Sequence, residues 1–278
     1  MLARLLRRRK TALVGAIVLA GIGLAALFAP ALVPYDPLQV KPAEALSPPT
    51  LRHPFGTDQY GRDILSRAIM GARLSLLTGL GAVAIALVAG VVVGLSCGVI
   101  GGWTDLLVMR LVDIMMAFPG TLMALVVVAV LGQGTVNVML AVGVSLVPTF
   151  VRLVRGDVLS VRENVYVEAA RALGCWPTRV AVQHVLPNVV APIIVLSTVA
   201  IAWLIILGAS LSFLGLGPRP PIPEWGIDLS NGRNYLLRAW WISSVPGFCI
   251  MLTVVAVNLV GDALRDALDP RTQSRARA

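Results

Sequence analysis

The chain has 278 residues, of which 57% are hydrophobic and 13% charged, and its mean hydropathy is +0.85. Water-soluble domains carry about 25% charged residues, so a soluble globular protein is excluded. Apolar runs of about 20 residues, each long enough for roughly 30 Å of hydrocarbon, recur along the chain and predict a polytopic membrane protein.

Arg4, Arg7, Arg8, Arg9 and Lys10 precede an apolar run over residues 11–33. Ala29-Pro30-Ala31 loosely fits a signal cleavage site, but the run is long for a signal core, so an uncleaved first span is expected. The basic segment, residues 1–10, then stays in the cytoplasm. Residues 34–73 are polar and proline-rich and read as an external loop. Thr57 or Asp58 can cap a short helix there. The apolar residues Ile64, Leu65, Ala68, Ile69 and Ala72 would lay that helix on the membrane interface.

The second span is expected over about Leu74–Ile100. Gly90, Gly94 and Gly98 recur every fourth residue and leave one helix face nearly bare, which permits close helix contact. Trp103 in the following inner turn suits headgroup level. A third span is expected at about Ile114–Leu131, with Arg110 and Asp113 near its inner end and spaced to pair on one helix face. The fourth, about Val136–Val154, carries Pro148, which predicts a kink.

The fifth span runs from about Pro187 to Leu214. Residues 215–240 read as external, with Pro218, Pro220, Pro221 and Pro223 setting an extended path before Glu224-Trp225-Gly226. Trp240 and Trp241 suit an outer aromatic belt. The sixth span, about Ile242–Gly261, leads to a charged tail that includes Asp262, Arg265, Asp266, Asp269 and Arg271. Polar residues inside spans (Asn137, Ser145, Thr149, Ser197, Thr198 and others) are expected to bond neighbouring helices or to line a path.

With six spans and both termini inside, the larger share of Arg and Lys falls on the inner side, as the positive-inside rule requires. This accounts for the net charge of +9, and no nucleic-acid partner is expected. The fold class is therefore an all-α membrane protein of six transmembrane helices, with residues 74–266 as its core and residues 267–278 as a cytoplasmic tail.

Between the fourth and fifth spans lies the longest charge-bearing passage set between apolar segments, YVEAARALGCWPTRVAVQHVLPN, with Arg152, Arg155 and Arg162 just before it. Glu168-Ala169-Ala170-Arg171 suits a short helix, and Glu168 and Arg171 are spaced to form a local pair. Gly174 can end that helix in the left-handed conformation. Pro177 suits the first turn of a second short helix, and Pro187 the first turn of the span that follows. Small residues at Ala169 and Ala170 would let another protein approach the backbone.

This stretch resembles the EAA loop of the membrane subunits of ABC importers, in which Glu-Ala-Ala is followed by glycine four residues on and later by Leu-Pro. Here those residues are Glu168, Ala169, Ala170, Gly174, Leu186 and Pro187, within a loop at residues 162–186. His184 stands where the general pattern has isoleucine. That departure matches the peptide and nickel branch, which typically reads His-x-Leu-Pro-Asn. A second string is similar to the segment before the second span in the C-type subunit of that branch. It comprises His53, Gly56, Thr57, Asp58, Gly61, Arg62 and Asp63. Its functional reading is external docking or gating of a binding protein, and its plainer reading is a capped helix that anchors the loop. The family also shares an Arg…Asp…Phe-Pro string, here Arg110, Asp113, Phe118 and Pro119.

The resemblance implies an ABC importer permease subunit of a bacterial or archaeal plasma membrane. It implies partnership with a second permease subunit, two cytoplasmic ATPase subunits and an external solute-binding protein, with membrane lipid around the spans. The chain itself has no G-x-x-x-x-G-K-[ST] phosphate loop. No cofactor is expected on it, since ATP and Mg belong to the ATPases. Its two histidines are expected on opposite sides of the membrane, and Cys97, Cys175 and Cys249 are scattered, so neither a metal site nor a disulfide framework is expected. Peptides are the expected cargo, with nickel or glutathione-like solutes as alternatives. Two other classes remain: an ion-driven transporter, which would predict acidic residues deep within the spans, and a membrane receptor or scaffold without transport.

Overall fold

The computed structural model describes residues 10–268. The basic Arg4, Arg7, Arg8 and Arg9, and the tail residues Asp269 and Arg271, lie outside them. The described chain is helical with no β-sheet. In order it forms α1 (Lys10–Leu27), α2 (Ile64–Ile100), α3 (Gly102–Met116), α4 (Gly120–Leu131), α5 (Thr135–Arg162), α6 (Val165–Ala172), α7 (Pro177–Phe213), α8 (Trp225–Gly232) and α9 (Trp241–Leu268). Five of these, α1, α2, α5, α7 and α9, are long and apolar enough to cross a membrane, and α3 with α4 makes a sixth when the two count as one span.

The second span and the expected interfacial helix are a single element. Helix α2 runs unbroken for 37 residues, about 55 Å at 1.5 Å per residue, so its outer turns project beyond the hydrocarbon. Its cap is Asp63, not Thr57 or Asp58. The Asp63 carboxylate accepts from the Ser66 amide at 2.8 Å and from the Ser66 hydroxyl at 2.7 Å.

The third span also departs from expectation. Residues 114–131 are not one helix, because the chain breaks at Ala117–Pro119 and α3 and α4 are bent by 94°. Pro119 has no amide hydrogen to continue the ladder of α3, and it becomes the N-cap of α4. Pro148, by contrast, is buried inside an unbroken α5.

The glycine face of α2 packs on α5. A Cβ at Gly90 would lie 2.2 Å from the Cβ of Phe150, and one at Gly98 would lie 2.4 Å from a Val158 methyl. The two backbones therefore approach as closely as only glycine permits. Around Phe150, Leu204 and Leu211, all buried, the side chains of α2, α4, α5 and α7 close one core. Helix α1 rests on α9, where Gly15 meets the Ala256 carbonyl.

The polar residues of the spans mostly turn back on their own helices instead of reaching a neighbour. Ser145 bonds the Val142 carbonyl, Ser197 that of Ile193, and Thr198 that of Val195. The segment 215–240 is not merely extended, since α8 is tucked against α2, α7 and α9 with Trp225 buried. Trp240 is exposed as an outer belt residue should be. Trp241 is instead buried and donates to the Thr57 carbonyl at 3.1 Å.

Candidate functional site: the inner loop and the charged clusters

The inner loop is built by a Schellman motif. The Cys175 amide donates to the Ala170 carbonyl at 3.1 Å and the Gly174 amide to the Arg171 carbonyl at 2.9 Å, with Gly174 at φ +80°. This closes the carbonyls at the end of α6 and turns the chain sharply. No second, separate loop helix follows. From Pro177 the chain is helical without interruption into the fifth span, passing through a π-helical stretch at Val180–Val185. Within α7 the regular α-helix begins at Leu186, with Pro187 in its first turn as expected.

Helix α6 is two-faced. Val167 is buried in a cluster with Val154 and Val158 of α5 and Val180, Val185 and Val189 of α7, and Ala170 is buried as well. Ala170 therefore faces inward, while Ala169 alone of the pair is open to an approaching surface. The opposite face carries Glu168 and Arg171, flanked by Val165 and Leu173 and followed by Trp176, all exposed. Leu173 is 86% and Trp176 79% exposed. Glu168 and Arg171 form no ion pair with each other among the described residues. Burial of a valine is worth roughly 1.5–3 kcal/mol, against about 0.3–0.5 kcal/mol for an exposed helix pair. The apolar face therefore holds α6 in place, and its charges remain free for another surface.

Two ion pairs join α3 to α5. Arg155 grips Asp105 with a fork, Nε to Oδ1 at 2.5 Å and Nη2 to Oδ2 at 2.6 Å. Above it a single contact of 2.5 Å links Arg152 Nη2 to Asp113 Oδ1. The expected Arg110–Asp113 pair does not form, because Asp113 turns toward α5 and Arg110 is exposed. Spacing along one helix could not show the competing arginine 39 residues later.

The outer string folds into a buried network. His53 Nδ1 lies 2.9 Å from Asp63 Oδ1, and Arg62 Nε donates to Asp58 Oδ2 at 2.5 Å. The Thr57 hydroxyl bonds the Glu44 carbonyl. Gly56 and Gly61 turn the backbone with φ of +73° and +74°, and a Cβ at Gly61 would strike the Lys41 carbonyl. The side chains of His53, Thr57, Asp58, Arg62 and Asp63 are all buried.

Next to this network the sequence reading missed a pair of charges 161 residues apart. Arg67 is buried and donates through Nε and Nη2 to Asp228 Oδ1. Its Nη1 reaches the Pro37 carbonyl at 3.1 Å and the Pro221 carbonyl at 3.2 Å. Burial pushes the Asp228 carboxyl up to about 6, against the opposing pull of Arg67. Glu224 caps α8 by accepting from the amides of Gly226 and Ile227 at 3.0 Å each, and burial raises its carboxyl above the ordinary range. The only signal in the sequence was an arginine standing inside an apolar stripe. Among the described residues no group of three or more His, Cys, Asp or Glu side chains is placed to hold a metal ion.

Residues 90–274 match the family described as the inner membrane component of binding-protein-dependent transport systems. Residues 2–49 match the N-terminal transmembrane domain of oligopeptide transport permease C. The chain is 45% identical to the dipeptide transport system permease protein DppC of Alkalihalophilus pseudofirmus, over 97% of this chain and 88% of that one. It is 45% identical to the di/tripeptide transport system permease protein DppC of Pseudomonas aeruginosa, over 96% and 90%. The glutathione transport system permease protein GsiD of Pectobacterium atrosepticum is 42% identical over 98% and 90%. A helical bundle with a two-faced inner loop, matched over most of its length by such permeases, belongs to the family of inner membrane components of binding-protein-dependent transport systems, as a multi-pass permease subunit of the ABC importer C type.

Proposed function

We propose that this chain forms half of the translocation path of a bacterial inner-membrane importer of short peptides and couples that path to ATP hydrolysis on partner subunits. The observation that carries the coupling role is the two-faced α6. Its exposed face, with Glu168, Ala169, Arg171, Leu173 and Trp176, seats in a groove of a cytoplasmic ATPase. Its buried face, with Val167 and Ala170, is packed on α5 and α7 through Val167. Movement of the ATPase then carries two membrane-crossing helices with it. The Gly174 turn and the Leu186-Pro187 stretch hold this seat at the base of α7. A second permease subunit completes the path, two ATPases bind ATP and Mg, and an external binding protein delivers the solute.

Peptide cargo follows from relatives whose names specify dipeptides and di/tripeptides. The glutathione permease relative supports a second reading, import of a glutathione-like solute by the same mechanism. The outer His53–Asp63 string, buried as it is, shapes the external loop. The exposed Leu51, Phe55 and Tyr60 of that loop form the surface that meets the binding protein.

The test is a mild-detergent pull-down of the tagged chain, wild type beside Gly174→Asp, followed by ATP-driven uptake in vesicles. The wild type is expected to bring down a phosphate-loop ATPase and to support peptide uptake, and the variant to insert normally yet lose uptake. Isolation of the wild-type chain without an ATPase, in vesicles that answer ion gradients but not ATP, would sink the proposal.

A further inference from the structure

The two α3–α5 ion pairs differ in a way that separates a structural role from a binding one. Arg155 and Asp105 form a two-pronged fork whose side chains are 28% and 15% exposed. Arg152 and Asp113 meet through one nitrogen and one oxygen, and each side chain is 50% exposed. An arginine offers five N–H donors and a carboxylate two oxygens with about four acceptor sites, so most of the bonding capacity of this second pair is unused.

Its position makes the exposure informative. Arg152 lies seventeen residues along α5 from Thr135, roughly 25 Å at 1.5 Å per residue, within a hydrocarbon layer of about 30 Å. The pair therefore sits toward the inner end of the span, where charged side chains reach water, and its open bonding groups are within reach of a solute at that end of a path.

The surroundings agree. Ser145, Thr149, Arg152 and Gly156 are spaced four, three and four residues apart, which puts them on one face of α5, and none of the four is buried. Phe150, Val154 and Val158 on the other side pack against α2 and the inner loop. Helix α4 reaches this face only at its upper end, where a Cβ on Gly120 would lie 3.9 Å from the Ser145 carbonyl. Below that point the chain breaks at Ala117–Pro119, and α3 meets the stripe through Asp113 on Arg152 while Arg152 and Gly156 stay exposed. At Gly156 an added Cβ would meet nothing within 4 Å.

We infer that Arg152 and Asp113 form a binding site in the translocation path for the charged termini of a zwitterionic short peptide. Resting on the peptide-import reading, this inference adds the site and the chemical feature recognised. Arg152 takes the carboxylate of the passing peptide through its unused N–H groups, and Asp113 takes the ammonium. A half-exposed pair is cheap to open, and together the two side chains are neutral, so a zwitterion exchanges with the pair without leaving a net charge in the membrane. An extended dipeptide spans about 7 Å, short enough for both termini to engage one pair. A long peptide can engage it with only one end.

The test uses the importer assembled with its ATPases and binding protein in vesicles, with dialanine as the probe. In a Gly156→Cys variant, compared with wild type to account for the native cysteines, a cationic membrane-impermeant thiol reagent is expected to label the new cysteine. Saturating dialanine should slow that labelling, while N-acetyl-dialanine amide, which lacks both charges, should not. Arg152→Gln should reduce dialanine uptake about tenfold, the size expected for losing a charge-assisted hydrogen bond, and Arg152→Lys should recover part of it. Absence of labelling would mean that lipid or the second subunit covers the stripe, and would overturn the inference. Labelling indifferent to dialanine, with normal uptake by Arg152→Gln, would overturn it equally and leave the pair a structural link. Failure of the wild type to import dialanine would overturn the peptide reading and the site with it, whereas normal wild-type uptake without protection would overturn the site alone.

Discussion

At Gly174 the backbone adopts φ +80°, yet a Cβ there would meet nothing within 4 Å. The demand for glycine is therefore conformational, not steric. A β-branched residue in that region carries a cost of order 1–3 kcal/mol, whereas asparagine visits it readily. We expect Gly174→Asn to keep ATP-driven uptake and Gly174→Val to lose it. Equal loss in both variants would remove the backbone explanation. Gly174→Asp adds a negative charge at a helix C-terminus, where the helix dipole disfavours it; comparison with Gly174→Asn separates charge from shape. The same scale governs Arg67. Arg67→Ala strands the buried Asp228, and loss of one partner of a buried pair costs about 3–5 kcal/mol. Thermal unfolding in detergent should show a large drop for Arg67→Ala and a smaller one for the double change Arg67→Met with Asp228→Leu, which removes both charges together.

Among the helices, the α2–α5 contact depends on absent side chains. With a Cβ at Gly90 only 2.2 Å from that of Phe150, the helices must part to admit even alanine, and overpacking of this kind costs about 1–3 kcal/mol. Gly90→Ala should lower the unfolding temperature. Gly23→Ala in α1, where nothing lies within 4 Å, should leave it unchanged or slightly raise it, since alanine favours the helix. A neutral Gly90→Ala would mean that the two helices separate freely. At the α3–α4 break the chain bends by 94°, and α3 is held to α5 by the Asp113–Arg152 and Asp105–Arg155 pairs.

Across the whole molecule, Arg67 ties the external loop at Pro37 and the proline-rich segment at Pro221 to α2, and through Asp228 to α8. The outer surface of the subunit is thus one connected body, and the inner loop is bound into the bundle through α5 and α7. Protonation acts on this body through Asp228, whose carboxyl rises from 3.8 to about 6 on folding. A raised carboxyl binds its proton more tightly in the folded state. The stability it contributes is full below about pH 4 and is lost as pH rises through about 6. Unfolding temperatures measured from pH 4 to 7 should therefore fall with rising pH more steeply in wild type than in Asp228→Asn. Parallel curves would show that the folded state does not favour the protonated acid.

Membrane class, the approximate spans and the inner loop were legible from local chemistry. Apolar length sets what crosses a bilayer, the glycine ladder sets which face can be approached, and Glu168 through Gly174 set a short helix with a left-handed stop. The misreadings fell where a residue's role depends on something distant in the chain. Asp113 chose Arg152 over the nearer Arg110, Trp241 turned inward to the Thr57 carbonyl, and the outer string became interior when the loop at Lys41–Ser47 and Trp241 closed over it. Periodicity also could not tell that the interfacial helix and the second span are one, because both continue the same hydrogen-bond ladder, or that Pro119 splits the third. By itself the sequence determined what each segment could be, since length, polarity and backbone freedom belong to neighbouring residues. Only the tertiary structure decided which charges meet and which face stays open, since those depend on three-dimensional distances between residues far apart in the chain.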